Sequence, residues 1–504
     1  MSLFLESLQL DTASGTPLFR QLYAAVKHAI LTGVLPAGMQ LPPSREFCHR
    51  LSISRQTVLN AYELLLAEGY LSGTVGRGTF VSVDLPDASD APDRIAITGK
   101  RGVALTNNTR QGTPALSKRG RQFVDRASLA PVHQEKTRAF RVSMPGLDVF
   151  PFDVWARLEA RRWRHHEDRL GYGDPAGYGR LRELLAVYLK NARGVNCNPE
   201  QIIITSGSQQ ALYLLSTVLL DPEDAAWVES PGYRGAIATL QAAQANVCHV
   251  PVDHDGLNVD YGALHYPDAR LVYVTPSHQL PLGMTMSLQR RLALLAWAKQ
   301  GSAWVIEDDY DSEYRYSGAP IASLQSLDKN DCVIYVGTMS KVLFPGLRLG
   351  YMVLPPALVA PVTHAKAIID RHTAIVPQMV LADFIAEGYF GRHIKRTRKL
   401  YSQRQAALLD SIQTQLSDDL SCGASDGGLD LAVHFKMQHS EQAVVNAGLA
   451  AGLELRPLSY FLSPDAKEVS SAFSRGLLLG FSSLTEQEIY KSCLVLRDVL
   501  RSQR

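Results

Sequence analysis

Two domains of different class are the expectation for this chain. A small helical unit closed by a β-hairpin comes first, and a large α/β unit with a mainly parallel central sheet follows. Three observations carry this reading. At 504 residues the chain is too long for one ordinary core. Apolar residues near the N-terminus recur at helical spacing and then give way to a short alternating stretch around "VGRG". Beyond about Arg138, short β-branched runs alternate with helical patterns, as they do where strands are buried on both faces.

Composition narrows the class without fixing it. With 46% hydrophobic and 20% charged residues the chain reads as a soluble globular protein. A formal charge of +2 neither proclaims nor excludes nucleic acid, so any DNA-binding surface must be local. The cysteines (Cys48, Cys197, Cys248, Cys332, Cys422 and Cys493) lack CxxC or metal-like spacing, which suits free thiols in a reducing compartment and suggests no metal. The start "MSLFLESLQLDTASG" has no basic region and an early Glu6, and no apolar run reaches ~18 residues. A cytoplasmic protein with no membrane partner is expected.

Residues 1–83 form the first expected domain. Leu18, Leu22, Val26, Ala29 and Ile30 mark one helix, which Gly33 ends. After the loop "GVLPAGMQLPPS", Ser44 is placed to cap a short helix through about Leu51. Ser54 caps a longer one, "RQTVLNAYELLLAEG", closed by Gly69, and "YLSGTVGRGTFVSV" reads as a two-stranded hairpin. Two helices, a tight turn and a hairpin describe a winged helix-turn-helix, whose second helix can enter the major groove of double-stranded DNA. Arg45 is placed to touch phosphate. Arg55, Gln56, Thr57 and Asn60 line the start of the second helix, where arginine and amide groups can pair with base edges. Arg77, between two glycines, suits a wing tip. A three-helix protein-docking module remains the alternative on pattern alone, because the net charge of this segment is only +1 (6 − 5).

Residues 84–137 lose periodicity and read as a flexible linker. Their basic second half (Lys100, Arg101, Arg110, Lys118, Arg119, Arg121) is read as a solvated tether rather than a nucleic-acid arm.

Residues 138–504 carry the strand-like runs "QIIITSG", "AAWVES", "ARLVYVTPS", "AWVIEDD" and "CVIYVGT", and ligands gather at the carboxyl ends of such strands. Lys341, in "GTMSKVLFPGLRLGYM", sits in apolar company that a solvated lysine does not need and an imine-forming one does. An aldehyde cofactor such as pyridoxal 5'-phosphate also needs an acid at its ring nitrogen, a donor to its hydroxyl, a stacking ring and a phosphate cup. Asp308 ends an apolar strand 33 residues (341 − 308) before the lysine, and Tyr310 follows it. Alone, "EDDYD" is equally a metal site or a solvated loop. Gly207, Ser208 and Gln209 open a helix where anions are stabilised; Thr338, Ser340 and Arg348 add hydroxyls and charge. Tyr233 can stack, or can be a core tyrosine.

Longer matches sharpen these readings. "PLFRQLYAAVKHAILTGVLPAGMQLPPSREFCHRLSISRQTVLNAYELLLAEGYLSGTVGRGTFVS" resembles the DNA-binding domain of GntR-type bacterial regulators, which implies Arg45, Arg55, Thr57 and Arg77 as contacts. "YGDPAGYGRLR", "TSGSQQAL", "ESPGYRGA", "TPSHQLPLG", "IEDDYDSEYRYSGAP" and "VIYVGTMSKVLFPGLRLGYM" follow in the order of the MocR/GabR subfamily, whose second domain is similar to fold-type-I aminotransferases. The resemblance implies Lys341 as the Schiff-base lysine, Asp308 at the ring nitrogen, Tyr310 at the ring hydroxyl and Tyr233 stacked. It also implies the phosphate set above, and Tyr172 reaching the phosphate of a neighbouring subunit in a homodimer with composite sites. The implied function is a transcriptional regulator that senses an amine or amino-acid effector, or the cofactor itself, by aldimine exchange at Lys341. The alternative is an active aminotransferase with an appended DNA-binding domain. Departures weaken turnover: Leu478 stands where an acid-clamping arginine is expected, leaving Arg475 and Arg456 as effector-binding candidates, and Leu280 stands where an asparagine would contact the ring, leaving His278 and Gln279 either to line the pocket or merely to cap a loop. At most residual half-transamination is expected.

Overall fold

The computed structural model describes residues 10–11, 14–74, 78–83, 116–117, 120–121, 138–164, 171–318, 322–424, 426–463 and 475–503. Arg77 and nearly all of the expected linker 84–137 lie outside the described residues. The chain divides into two compact units, Met1–Thr113 and Pro114–Arg504.

The first unit holds helices Leu18–Leu31, Ser44–Leu51 and Arg55–Ala67, with strands β1 (Gln40–Leu41), β2 (Leu71–Thr74) and β3 (Gly78–Val81). Helical spacing delivers Leu22, Val26, Phe47, Val58, Ala61 and Leu65 to one buried core. The Ser54 hydroxyl accepts the Thr57 N–H at 3.1 Å and starts the third helix. Ser44 is the first residue of its helix rather than the cap. Pro43 occupies that position, with the φ of −55° that its ring imposes. The wing is three-stranded, in the order β1-β3-β2, because Gln40 and Leu41 pair with Phe80 and Thr79. A two-residue strand inside a proline-dense loop leaves no periodic signal.

The second unit is built on an eight-stranded sheet. Its strands are β4 (Ile202–Thr205), β5 (Ala225–Ser230), β6 (Asn246–Asp253), β7 (Gly256–Leu257), β8 (Leu271–Val274), β9 (Trp304–Asp309), β10 (Val333–Thr338) and β11 (Gly350–Val353). The order is β4-β11-β10-β9-β8-β5-β6-β7. From β6 through β5, β8 and β9 to β10 the pairs are parallel. β11 runs antiparallel between β10 and β4. Alternate residues of the same strands feed two cores: Ile202, Ile204 and Tyr335 face one, while Ile203, Ile334 and Val336 face the other. Burial on both faces is why these strands read as continuous apolar runs.

A second, antiparallel sheet of β12 (Leu420–Cys422), β13 (Asp430–Phe435), β14 (Arg456–Pro457) and β15 (Gly476–Gly480) has the order β12-β13-β15-β14. It shares a core with helices Tyr389–Gln415 and Glu486–Ser502. No described helix is long and apolar enough to cross a membrane. Register then sets the site: Asp308 on β9 lies beside Val336 on β10, so the carboxyl ends of both strands reach one edge.

Removing the Ser54 cap is expected to cost about 1 kcal/mol. In Ser54→Ala, amide exchange along Arg55–Ala67 should quicken by about fivefold in hydrogen-exchange mass spectrometry of the full chain. Unchanged exchange would remove the cap's role.

Candidate functional site

A cavity of about 220 Å³ opens at that edge. The sequence-expected residues Lys341, Asp308, Tyr310, Tyr233 and Arg348 line it, with Ser208, Gln209, Thr338 and Ser340. Chain ends from five strands supply them, as a parallel sheet with its loops on one side requires.

Strand alternation sorts the "EDDYD" carboxylates. Glu307 turns to one face and accepts the Leu324 and Gln325 N–H groups, each at 2.8 Å. Asp309 turns the same way, to Arg193 at 2.7 Å and the Tyr335 hydroxyl at 2.5 Å. Asp308 faces the cavity on the other side. Among the described residues, three metal-type ligands meet at Asp253, His254 and Asp255 on the β6–β7 turn, not here. The metal-site alternative for "EDDYD" therefore lacks a ligand set.

Asp308 Oδ2 accepts the Tyr273 hydroxyl at 2.7 Å, while Oδ1 is buried without a partner. Burial raises its pKa to about 7, and neighbouring Asp309 adds to the rise that Tyr273 and Lys341 oppose. Lys341 Nζ donates to the Ser143 carbonyl at 2.9 Å. Burial lowers its pKa, although Asp430, Asp311 and Asp308 pull the other way. Asp430 is itself anchored, accepting the Ser143 N–H at 2.7 Å. The lysine is thus held in reach of three acids, yet favours its neutral form relative to a solvated lysine.

Tyr310 shares a 3.0 Å contact with His278 Nδ1, which also meets both Asp311 oxygens at 3.0–3.1 Å. Burial would lower the His278 pKa, but the Asp311 carboxylate outweighs it and raises it. With Nδ1–H given to Asp311, the Tyr310 proton is left free to point into the cavity. His278 stands behind Tyr310, in the wall of a neighbouring cavity of about 400 Å³, and not among the residues lining the first.

The cradle expected to hold an anion starts at Gly207, the N-cap of helix Ser208–Leu219, with φ 127°. A Cβ there would stand 3.0 Å from an Arg348 guanidinium nitrogen, and one on Gly350 would stand 2.9 Å from the Gly207 Cα. Two bare glycines let these backbones meet. Arg348 holds φ 52°, a strained conformation for an arginine, and finds no carboxylate partner among the described residues. The Gln209 side chain turns away from the cradle: its amide oxygen accepts the Tyr233 hydroxyl at 3.1 Å, and its NH₂ donates to Thr239 at 2.6 Å.

Other candidates fall elsewhere. Tyr172 is 92% exposed and is not among the residues lining the cavity. Arg475 donates to the His439 carbonyl at 3.1 Å, and Arg456 stacks 4.6 Å from the Tyr460 ring centroid. In the first unit Arg45, Arg55 and Gln56 are exposed. Gln56 donates to Asn60 at 2.7 Å, and Thr57 is engaged with the Ser54 cap.

Sequence reasoning missed Ser143, Tyr273 and Asp430. Tyr273 was detectable: a lone hydroxyl in the buried strand "LVYV" must find a partner. Nothing in the sequence around Ser143 or Asp430 marks them.

Because the Asp308 pKa is raised, the folded chain keeps a proton that the unfolded chain has released, and stability falls as pH rises from about 4 to 7. Asp308→Asn should therefore raise the Tm of the ligand-free protein at pH 8. The gain should fade toward pH 4 in calorimetry, and a pH-independent gain would contradict the assignment.

Family models match at two places: "Bacterial regulatory proteins, gntR family" over residues 18–81 and "Aminotransferase class I and II" over 144–470. The probable rhizopine catabolism regulatory protein MocR of Rhizobium meliloti is 38% identical, covering 97% of this chain and 95% of that protein. The pyridoxine biosynthesis transcriptional regulator PdxR of Corynebacterium glutamicum is 30% identical over 96% of each. Among solved structures, the α-aminoadipate aminotransferase LysN of Thermus thermophilus aligns with TM-score 0.66 and 27% identity, covering 72% of this chain and 92% of that one. A helix-turn-helix unit and an aminotransferase-type unit in one chain, matched end to end by regulators, place it plainly: the chain belongs to the MocR-type transcriptional regulators of the gntR family.

Proposed function

We propose that this regulator holds pyridoxal 5'-phosphate at Lys341 and uses it to sense a primary amine, an amino-acid-type effector or the cofactor supply. Asp308 Oδ1 carries the reading: a buried oxygen without a partner, on an acid that lines a cavity together with Lys341, Tyr233, Tyr310 and Arg348. When bound, the group supplies an aldehyde that captures primary amines reversibly.

The chain's own residues do the rest. Asp308 accepts the ring N–H, and its cost of burial is offset by that bond. Tyr310 donates to the ring hydroxyl oxygen, and Tyr233 covers the ring face. Backbone N–H groups of Gly207, Ser208 and Gln209, the hydroxyls of Thr338 and Ser340, and Arg348 hold the phosphate. Lys341, biased to its neutral form, provides the amine that an effector displaces. Tyr172, exposed on its own subunit, completes the phosphate site of a second subunit in a homodimer.

Residues 1–83 form the DNA-binding domain in this proposal, 84–137 the linker and 138–504 the sensing domain. Arg45, Arg55, Gln56, Thr57 and Asn60, with Arg77 on the wing, contact an operator. Exchange of Lys341 for a ligand amine changes charge and contacts at the cavity, giving two states that differ in operator affinity.

A second reading, an active aminotransferase with a DNA-binding domain, draws on the likeness to solved aminotransferases and on the presence of both Lys341 and Asp308. Mixing the loaded protein with amines and an oxo-acid separates the two. Sustained amino transfer supports the enzyme; an absorbance shift with altered operator affinity and no turnover supports the sensor. Lys341→Ala should abolish the imine absorbance and the ligand response, and their survival would overturn the proposal. Arg55→Ala should weaken operator binding about tenfold or more in fluorescence anisotropy at fixed salt.

A further inference from the structure

Residues 138–146 form a strap that directly follows the stretch proposed above as the linker. Most of its bonds run to one side. Arg138 donates to the Leu449 carbonyl at 2.9 Å, the Ala139 carbonyl accepts the Glu454 N–H at 2.8 Å, and the Phe140 carbonyl accepts the Gly480 N–H at 3.1 Å. The Met144 carbonyl accepts the Ser482 hydroxyl at 2.6 Å, and the Gly146 N–H donates to the Tyr401 hydroxyl at 2.7 Å. These partners all lie in or beside the antiparallel sheet and the helices around it.

Ser143 is the exception. Its carbonyl accepts Lys341 Nζ at 2.9 Å, and both residues line the cavity of about 220 Å³. Its N–H and hydroxyl go to Asp430 on β13, at 2.7 and 3.2 Å. Asp430 therefore holds Ser143 at two points, and the carbonyl is left for the lysine. The same carboxylate is the first of the acids that favour the charged form of Lys341 against its burial. Phe140 and Ser143 both keep left-handed backbone, with φ 66° and 62°, which a residue with a side chain retains only where its surroundings enforce it. A strap held in such a shape answers to the loss of any one holder.

What the lysine can donate depends on its bonding. A free amine offers its hydrogens to Ser143, whereas a nitrogen bonded in an imine keeps at most one. When a primary amine takes the lysine's place, the carbon–nitrogen double bond to the lysine breaks as one to the newcomer forms. Two protons pass to the lysine nitrogen and nothing is oxidised, so the freed lysine regains its donors.

We infer that Asp430 is a positioning residue for Lys341: through Ser143 it sets the carbonyl that receives the lysine nitrogen whenever no cofactor is bonded to it, so that the strap is latched with the amine free and unlatched with the amine bonded. The latch favours the freed lysine and helps an incoming amine displace it. It also carries each exchange to the end of the proposed linker. The response to exchange rests on the proposed role of Lys341; the latch itself does not.

Hydrogen-exchange mass spectrometry of the full chain, read over residues 138–146, tests the latch without cofactor. Lys341→Met keeps most of the side chain's bulk and loses the donor, so exchange there should quicken by about fivefold. Equal rates in wild type and variant overturn the inference. In the wild type, adding pyridoxal 5'-phosphate until the imine absorbance is complete should quicken the same residues while the rest of the sensing domain slows, as a bound ligand stabilises its host. Methylamine, which displaces the lysine with almost no side chain of its own, should slow them again. An imine absorbance with a strap that merely slows along with its surroundings overturns the inference and leaves the lysine reading standing. No imine absorbance sinks the lysine reading and leaves the cofactor-free comparison to decide the latch.

Asp430 is tested in the loaded protein. In Asp430→Ala the methylamine concentration at half-saturation should rise by about tenfold. Asp430→Asn, which keeps an oxygen for the Ser143 N–H, should recover most of that loss. Calorimetry checks that each variant is folded. An alanine variant that titrates like the wild type, or an asparagine variant no better than alanine, overturns the positioning role.

Discussion

A carboxyl group forced out of water beside a lysine is the constraint around which the larger unit is arranged. Moving an acid such as Asp308 into a protein interior costs several kcal/mol unless partners offset it. Tyr273 supplies one, and the second oxygen is left waiting. Only a rigid frame can hold such a group in place. β9 lies in the middle of the sheet, between β8 and β10, with Ile306 in an apolar core on one face and Val305 in another on the opposite face, so the acid cannot swing toward solvent. Glu307 on β9 and Glu229 on β5 are likewise pushed up to about 7 by burial.

The smaller unit works by a different physical rule. Its core is a single cluster of helical and strand residues, and its exposed face keeps Arg45, Arg55 and Gln56 in water. Attraction to a phosphate backbone needs charge only where the groove is met, so a segment with a net charge near zero can still read DNA. Membership of the MocR type joins this unit to one of the aminotransferase class I and II type.

Much of this was legible in the sequence because burial leaves marks. Lys341 stood out for its apolar company, and Asp308 for closing an apolar strand. The five β-branched runs became five strands of the large sheet, four of them adjacent (β10, β9, β8 and β5) and the fifth, β4, set beyond β11. What was not legible depends on distant pairing. Asp430 meets Ser143 only because residues far apart in sequence are brought together, and β1 is too short to show a period. The antiparallel sheet hid behind a β-strand at its edge of only two residues, Arg456–Pro457. His278 was read as a pocket residue from its neighbours in the chain, whereas the fold turns its ring toward Asp311 and sets Tyr310 between it and the cavity.

The connection 339–349 carries both Lys341 and Arg348. It leaves β10 at Thr338 and returns to Gly350, which pair directly, so both its feet are clamped. Lys341 rides on its outgoing arm and Arg348 on its returning arm. In the proposed function a ligand bonded to Lys341 and held by Arg348 would bridge the two arms like a cross-tie in a stirrup, and exchange of the lysine's nitrogen for an amine's would cut that tie at one arm only.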